Sequence, residues 1–145
     1  RHGLTPLGLI VDSQWAALDP AQMGLGPVHA AAPILQRHGL APNELDAWEI
    51  NEAFAAQVIA CQRALADIDY CRDELGLAGA LGSIDAERLN ADGGAVAQGH
   101  PVGASGARIV LHLLARLRRS GGARGMASIC IGGGQGGAML VERCA

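Results

Sequence analysis

Three short stretches of the sequence carry residue types that take part in catalysis, each just after a predicted strand or just before a predicted helix. Asn51 opens the stretch Asn51–Phe54, His100 stands before a proline among small residues, and Cys130 precedes the glycines 132–134. An amide at such a position can hold a water or an oxyanion, and a histidine can act as a general base near neutral pH. A thiol followed by glycine N–H groups can exchange a proton beside a site that stabilises an oxyanion.

Each stretch also has a purely structural interpretation. Asn51 can be the N-cap of a following helix, since asparagine is a favoured cap. His100, held extended by the proline after it, can be a loop histidine bonded to backbone. Cys130 can be a buried core cysteine before a hairpin. A phosphate-binding loop is a further alternative for the glycine run, although no Lys-Ser/Thr pair and no helix follow it.

The elements that position these residues follow from apolar periodicity and from glycine and proline breaks. Pro27 fits the first turn of a helix that Gly39 stops, and Ser105 fits the cap of a strongly amphipathic helix. In chain order, the predicted elements are strand 7–17, helix 27–38, strand 45–50, helix 52–65, a helical piece 70–75, a weak strand, helix 105–120, strand 125–131 and strand 138–142.

This order, βαβαβαββ, predicts an α/β fold. Helices between strands act as crossovers, so we expect a mixed, mostly parallel sheet covered by helices. The last two strands flank a glycine-rich turn, 132–137, and should form an antiparallel hairpin. Segment 66–89 has a weaker signal and is interpreted as insertion-like. Because such folds usually place their sites at strand ends, Asn51, His100 and Cys130 should meet at one end of the sheet.

Composition indicates one well-buried domain and argues against several functions. Hydrophobic residues make up 50% and charged residues 17%, and 21 glycines imply tight turns and close backbone approach. The net charge is −3, with no lysine and no arginine patch interleaved with aromatics, so nucleic-acid binding is not expected. No apolar run approaches the roughly 20 residues that span a bilayer, and Arg1–Pro6 does not begin a signal peptide.

The cysteines predict neither a metal site nor a disulfide framework. They are Cys61, Cys71, Cys130 and Cys144, and no pair has metal-ligand spacing. Their number is too low for a small domain stapled by disulfides, so we expect a reducing compartment and a cytoplasmic protein.

On these residues the sequence resembles the thiolases. The stretches Asn51–Phe54, 93–101 and 130–134 look like the three C-terminal signature blocks of that family, in the same order. The stretch from Asp19 to Pro27 resembles the thiolase segment after the first strand of this domain, so the resemblance covers essentially the whole chain. It implies a thiolase-like C-terminal domain over residues 1–145, with segment 66–89 similar to an extended subgroup.

The resemblance implies a role for each candidate residue. His100 takes the proton from a nucleophilic cysteine and orients a thioester carbonyl, while Asn51 holds a water that forms one oxyanion hole with His100. Cys130 exchanges a proton with the α-carbon of the acyl group or with the departing CoA thiol. Gly132 contributes its amide to the other oxyanion hole, and Phe54 lines the pantetheine tunnel. Coenzyme A is then a substrate, with no permanently bound cofactor and no metal.

The resemblance also implies parts outside this sequence. Thiolases begin with a similar domain that carries the acylated cysteine, and with a loop region that grips CoA; Cys61, Cys71 and Cys144 do not match the nucleophile's motif. We therefore assign no nucleophile here. We expect an acetyl-CoA C-acyltransferase of fatty acid metabolism that forms homo-oligomers. Without its N-terminal half, the chain should be inactive, expose apolar surface and self-associate.

Two other functions are considered. A condensing enzyme of the ketoacyl-synthase type usually has two histidines in place of Asn51 and Cys130, and this sequence has neither. A non-catalytic, truncated thiolase-fold fragment that serves as an interaction module would keep all three site residues if the truncation were recent.

Overall fold

A four-stranded sheet with helices on both faces forms the centre of the computed structural model, which describes residues 2–144. The strands are β1 (Gly8–Ala17), β2 (Ala47–Ile50), β3 (Arg124–Ile131) and β4 (Gln135–Arg143). The helices are α1 (Gly26–His38), α2 (Ala55–Ala66), α3 (Ile68–Asp73), α4 (Ala95–Gln98) and α5 (Ser105–Ser120), with short 3-10 helices at Pro20–Leu25 and Pro42–Glu44.

The strand order is β1-β4-β3-β2, and only the β2–β3 pair is parallel. The α/β class and the antiparallel hairpin of the last two strands are confirmed, but the prediction of a mostly parallel sheet is wrong. β1 and β3 are each antiparallel to β4, so they run in the same direction, as the crossover argument requires. Because β4 lies between them, two of the three neighbouring pairs are antiparallel.

The weak strand expected before the last helix is also absent within residues 2–144. Leu89 makes a single parallel bridge with Trp48, and the glycine-rich stretch after it holds the short helix α4. The backbone pairing with β2 stops there because the side chain of Asn90, and not its backbone, bonds to Ile50. Asn90 Oδ1 accepts the N–H of Ile50, and Asn90 Nδ2 donates to the carbonyl oxygen of Ile50, both at 2.9 Å.

Helix boundaries follow their caps. Gly39 ends α1 in the left-handed conformation with φ of 61°, as predicted. In contrast, α2 begins at Ala55 rather than near Glu52, and the N-cap of α5 is Ala104 rather than Ser105. The helical piece expected over 70–75 is α3, two residues earlier. Among residues 2–144 no helix combines the length and the apolar content needed to cross a membrane.

The face of the sheet under α1 and α2 is tightly closed. Ile34 and Leu35 of α1 are fully buried against Trp48 of β2 and Met126 of β3. The insertion-like segment 66–89 contributes to the same core, since Ile84 packs into it. This face therefore holds most of the buried apolar surface that stabilises the fold.

The opposite face is only partly covered. Helix α5 buries Ile109, Leu113 and Leu117 on β2 and β3, as its periodicity predicts. Beside it, an apolar cavity of about 270 Å³ opens over β4 and β1. Trp15 in its wall is 71% exposed, and Ile10, on the same face of β1, is 64% exposed.

Candidate active site

Asn51 follows the last residue of β2 and is held by the neighbouring parallel strand. Its backbone N–H donates to the Ser128 carbonyl oxygen at 2.9 Å, and the residue is only 2% exposed. Neither Oδ1 nor Nδ2 has a hydrogen-bond partner within residues 2–144. The capping interpretation is wrong, because α2 begins after the N-cap residue Phe54 and receives no cap from Asn51. A buried amide left unpaired costs about 1–3 kcal/mol.

Cys130 lies one residue before the end of β3, at the sheet edge that Asn51 also occupies. The parallel register pairs Ile50 of β2 with Ser128 of β3, so the two strands leave the sheet at the same end. Burial raises the pKa of the Cys130 thiol above its ordinary value, and a bond to its own backbone only partly offsets this. Cys130 is therefore a neutral thiol near pH 7, which suits a proton donor.

The glycine run after Cys130 forms a turn of three residues, Gly132–Gly134, so β4 starts earlier than predicted. Gly133 and Gly134 have φ of 82° and 79°, a conformation that side chains strongly disfavour. The turn is tied to the end of β1, where the N–H of Leu18 donates to the Gly134 carbonyl oxygen at 2.8 Å. Gly132 lies exposed at the start of this turn, at the sheet edge that carries Cys130.

His100 is bonded to a hydroxyl rather than to backbone. Its Nδ1 lies 2.6 Å from Oγ of Ser105, a fully buried residue in the first turn of α5. That hydroxyl also lies 3.2 Å from the Pro101 carbonyl oxygen. A hydroxyl that donates its hydrogen to Pro101 accepts from Nδ1–H, and in this tautomer the lone pair is on Nε2. His100 Nε2 can then act as a base.

The segment that carries His100 is attached to the Asn51 edge through Glu52. The Glu52 carboxylate accepts the N–H of Val96, in the first turn of α4, at 2.9 Å. Phe54 lies just beyond, 65% exposed at the start of α2. The structure thus puts Asn51, Phe54, Cys130 and Gly132 at one edge of the sheet and ties the His100 segment to it.

Sequence reasoning missed three polar side chains that contact one another behind this edge, Glu49, His112 and Asp92. His112 of α5 places Nδ1 2.8 Å from Oε1 of the buried Glu49 and Nε2 3.1 Å from Oδ2 of Asp92. Burial raises the pKa of Glu49 above its ordinary value, against the lowering effect of His112. The signal available in the sequence was Glu49 inside the apolar strand β2, because a buried glutamate seldom lacks a polar partner. Among residues 2–144 no cluster of three or more His, Cys, Asp or Glu side chains could hold a metal ion.

The fold and this site define a mixed α/β domain with polar strand-end loops grouped at one edge of the sheet. The sequence matches the family model "Thiolase, C-terminal domain" over residues 4–143, and the chain belongs to the thiolase family. It is 46% identical over 143 residues to the beta-ketoadipyl-CoA thiolase of Pseudomonas aeruginosa, covering 99% of this chain and 32% of that protein.

Other relatives agree with this assignment. The mitochondrial 3-ketoacyl-CoA thiolase of Homo sapiens is 41% identical over 145 residues, which is 100% of this chain and 32% of the relative. The crystal structure of human mitochondrial 3-ketoacyl-CoA thiolase in complex with CoA superposes with a TM-score of 0.81 at 42% identity, covering 99% of this chain and 32% of that one. The chain thus spans about a third of the length of the relatives it matches.

Proposed function

We propose that this chain is the C-terminal catalytic half of a thiolase, an acetyl-CoA C-acyltransferase that transfers acyl groups between CoA thioesters. The reaction is cleavage of a 3-ketoacyl-CoA by CoA or its reverse, Claisen condensation. The buried amide of Asn51 carries this proposal. It is unpaired within residues 2–144, and it sits at the strand end beside that of Cys130. The names of the relatives, which refer to beta-ketoadipyl-CoA and 3-ketoacyl-CoA, support the substrate class.

In the cleavage direction, His100 Nε2 takes the proton from a cysteine of the N-terminal half. The resulting thiolate attacks the 3-keto carbonyl and forms a thioester as the Cα–Cβ bond breaks. The bonding electrons pass to the α-carbon of the leaving acetyl-CoA, which takes a proton from Cys130. CoA then gives its thiol proton to Cys130, and the CoA thiolate attacks the acyl-cysteine thioester. The shortened acyl-CoA is released as the departing cysteine thiolate takes back the proton that His100 holds. Atoms and charges balance without a metal or a redox partner.

The oxyanions formed in these steps need fixed donors. Asn51, through a water, and His100 would supply one oxyanion hole, and the Gly132 amide would contribute to the other. Phe54, exposed at the same edge, would line the path of the pantetheine arm. We extend the proposal to a cytoplasmic homo-oligomeric enzyme of fatty acid metabolism, with an N-terminal domain and a CoA-binding loop region supplied outside residues 1–145.

A chimera tests this function. This chain would replace the matching C-terminal third of the Pseudomonas aeruginosa beta-ketoadipyl-CoA thiolase, and cleavage of 3-ketoacyl-CoA would be measured. We expect an active enzyme in which His100→Ala lowers kcat/KM by about 10²–10⁴-fold and Asn51→Ala by about 10²–10³-fold. His38→Ala, at the end of α1, is the matched control. A folded chimera without activity, or one insensitive to His100→Ala, would contradict the proposal.

A further inference from the structure

The carboxylate of Glu52 is bonded to both ends of the segment that leads to His100. Oε1 accepts from Asn90 Nδ2 at 3.2 Å, and Oε2 accepts the N–H of Val96 at 2.9 Å. Val96 belongs to α4, which ends at Gln98, two residues before His100. One side chain adjacent to Asn51 therefore fixes segment 90–96 to the edge of the sheet.

Asn90 extends this connection back to the strand of Asn51. Its side chain bonds both backbone polar groups of Ile50, the residue before Asn51, at 2.9 Å each. To do so Asn90 adopts a φ of 46°, the only positive value among the non-glycine residues of segment 2–144. Asparagine is one of the few residues that tolerates this conformation. Glu52 and Asn90 thus hold each other and the strand end between them.

Gly94 shows how closely the carboxylate is packed. A Cβ at this position would lie 2.5 Å from Cδ and from Oε2 of Glu52, well inside contact distance. Its φ of −141° is an extended conformation that any residue adopts. The backbone conformation would therefore accept a side chain at position 94, but that side chain would displace the Glu52 carboxylate from its hydrogen bonds.

The far end of the segment is held by α5. Arg108 donates to the Gly99 carbonyl oxygen at 2.8 Å, and Ser105 fixes the His100 imidazole. Because α5 packs on β2 and β3, this end is rigidly attached to the sheet. Glu52 is the complementary attachment at the near end, beside Asn51.

We propose that Glu52 is a positioning residue for His100, because its carboxylate holds segment 90–98 against the Asn51 strand end and so sets the separation of the amide and the imidazole. The use of that separation in oxyanion binding rests on the proposed function. The attachment itself does not, so the two ideas can be tested apart. A misplacement of about 1 Å at a catalytic group can lower a rate about 100-fold.

Amide hydrogen exchange on the 145-residue chain tests the attachment without any activity. Glu52→Ala should speed exchange at Val96 and through residues 97–100 by about tenfold or more, while amides of β3 stay protected. Glu52→Gln keeps one acceptor oxygen and should have a smaller effect. Glu87→Gln, an exposed carboxylate on the preceding loop, is the matched control. Equal exchange at residues 96–100 in Glu52→Ala and Glu87→Gln would overturn the proposal.

A double-mutant cycle supplies an independent arm. Gly94→Ala alone should destabilise the segment because its new methyl group meets the carboxylate. In the Glu52→Ala background this clash is gone, so the added effect of Gly94→Ala on exchange should fall to near zero. Additive effects of the two substitutions would contradict a direct contact between these residues.

The chimera separates positioning from a merely structural role. Glu52→Ala should lower kcat by about 10- to 100-fold while KM for the acyl-CoA changes less than about threefold, and Glu52→Gln should restore most of the loss. An unchanged kcat in an active chimera would overturn the positioning role. If the unsubstituted chimera is inactive, the proposed function fails, and the exchange experiment alone decides on Glu52.

Discussion

The two faces of the sheet are closed to different degrees. Under α1 and α2, Ile34 and Leu35 have no exposed surface, whereas on the α5 face Ile10 and Trp15 of β1 are 64% and 71% exposed. An apolar cavity of about 270 Å³ on this face has Trp15 in its wall. Monomeric proteins seldom leave contiguous apolar surface of this kind without a partner.

One face is thus closed by α1 and α2, whereas α5 covers only part of the other. The chain covers about a third of its relatives' length, and we propose that a further domain packs on the open face. The candidate site lies at the strand ends between the two faces. Asn51 follows β2 and His100 is oriented by Ser105 of α5, so elements of both faces place its polar groups, and we propose that a further domain brings the nucleophile.

Matched isoleucines should give the largest difference between the faces. Ile34→Ala on the closed face should lower the free energy of unfolding by about 2–5 kcal/mol, because a buried cavity is created. Ile10→Ala on the open face should cost less than about 0.5 kcal/mol in the chain alone. Urea denaturation measures both. Similar losses for the two substitutions would show that the faces are equally packed.

Two asparagines offer the next contrast, between satisfied and unsatisfied polar groups. Asn90→Leu should cost about 1–3 kcal/mol, since both polar groups of Ile50 lose their partner. Asn51→Leu removes an unpaired buried amide and should leave stability unchanged or raise it by about 1 kcal/mol, while abolishing activity in the chimera. A large loss of stability in Asn51→Leu would mean that its amide is paired.

A change at the open face should alter association rather than folding. Trp15→Ser should weaken self-association of the chain about tenfold, because it removes the largest exposed apolar side chain beside the cavity. Ile59→Ser, 51% exposed on α2, is the control with little expected effect. Sedimentation equilibrium measures both, and equal effects would show that association does not use the open face.

The smallest effect concerns the sheet edge remote from the site. Burial disfavours ionised Asp46, but bonds from the N–H groups of Arg124 and Ala123, at 3.0 and 2.7 Å, lower its pKa below the ordinary value. The stabilisation of the fold by ionised Asp46 is therefore complete above the unfolded pKa of about 3.9. It is lost as the pH falls through the lower folded pKa. Asp46→Asn should cost about 1 kcal/mol at pH 7 and less at pH 3 in urea denaturation. A larger cost at pH 3 would reverse the sign of the argument.

Local signals in the sequence predicted most of the helices and strands. Gly39, the α5 periodicity and the β3–β4 hairpin each follow from residues close in the chain. The insertion of β4 between β1 and β3 was not predictable in this way, because partners far apart in sequence decide it.

The sequence named the candidate site residues but not the residues that hold them in place. Asn51 and Ser105 both look like helix caps, yet one is buried and unpaired and the other orients His100. Glu52 and Asn90 meet across 38 residues of chain, and nothing local in the sequence indicates that contact. Capping preferences describe isolated helices, and tertiary contacts overrode them here.

The central claim is that Asn51, His100 and Cys130 form half of a thiolase site that needs a nucleophile from another domain. The most direct measurement compares 3-ketoacyl-CoA cleavage by the 145-residue chain and by the chimera under identical conditions. We expect no cleavage above background by the chain alone and clear turnover by the chimera that depends on His100 and Cys130. Robust cleavage by the chain alone, or a folded chimera that never turns over, would contradict it.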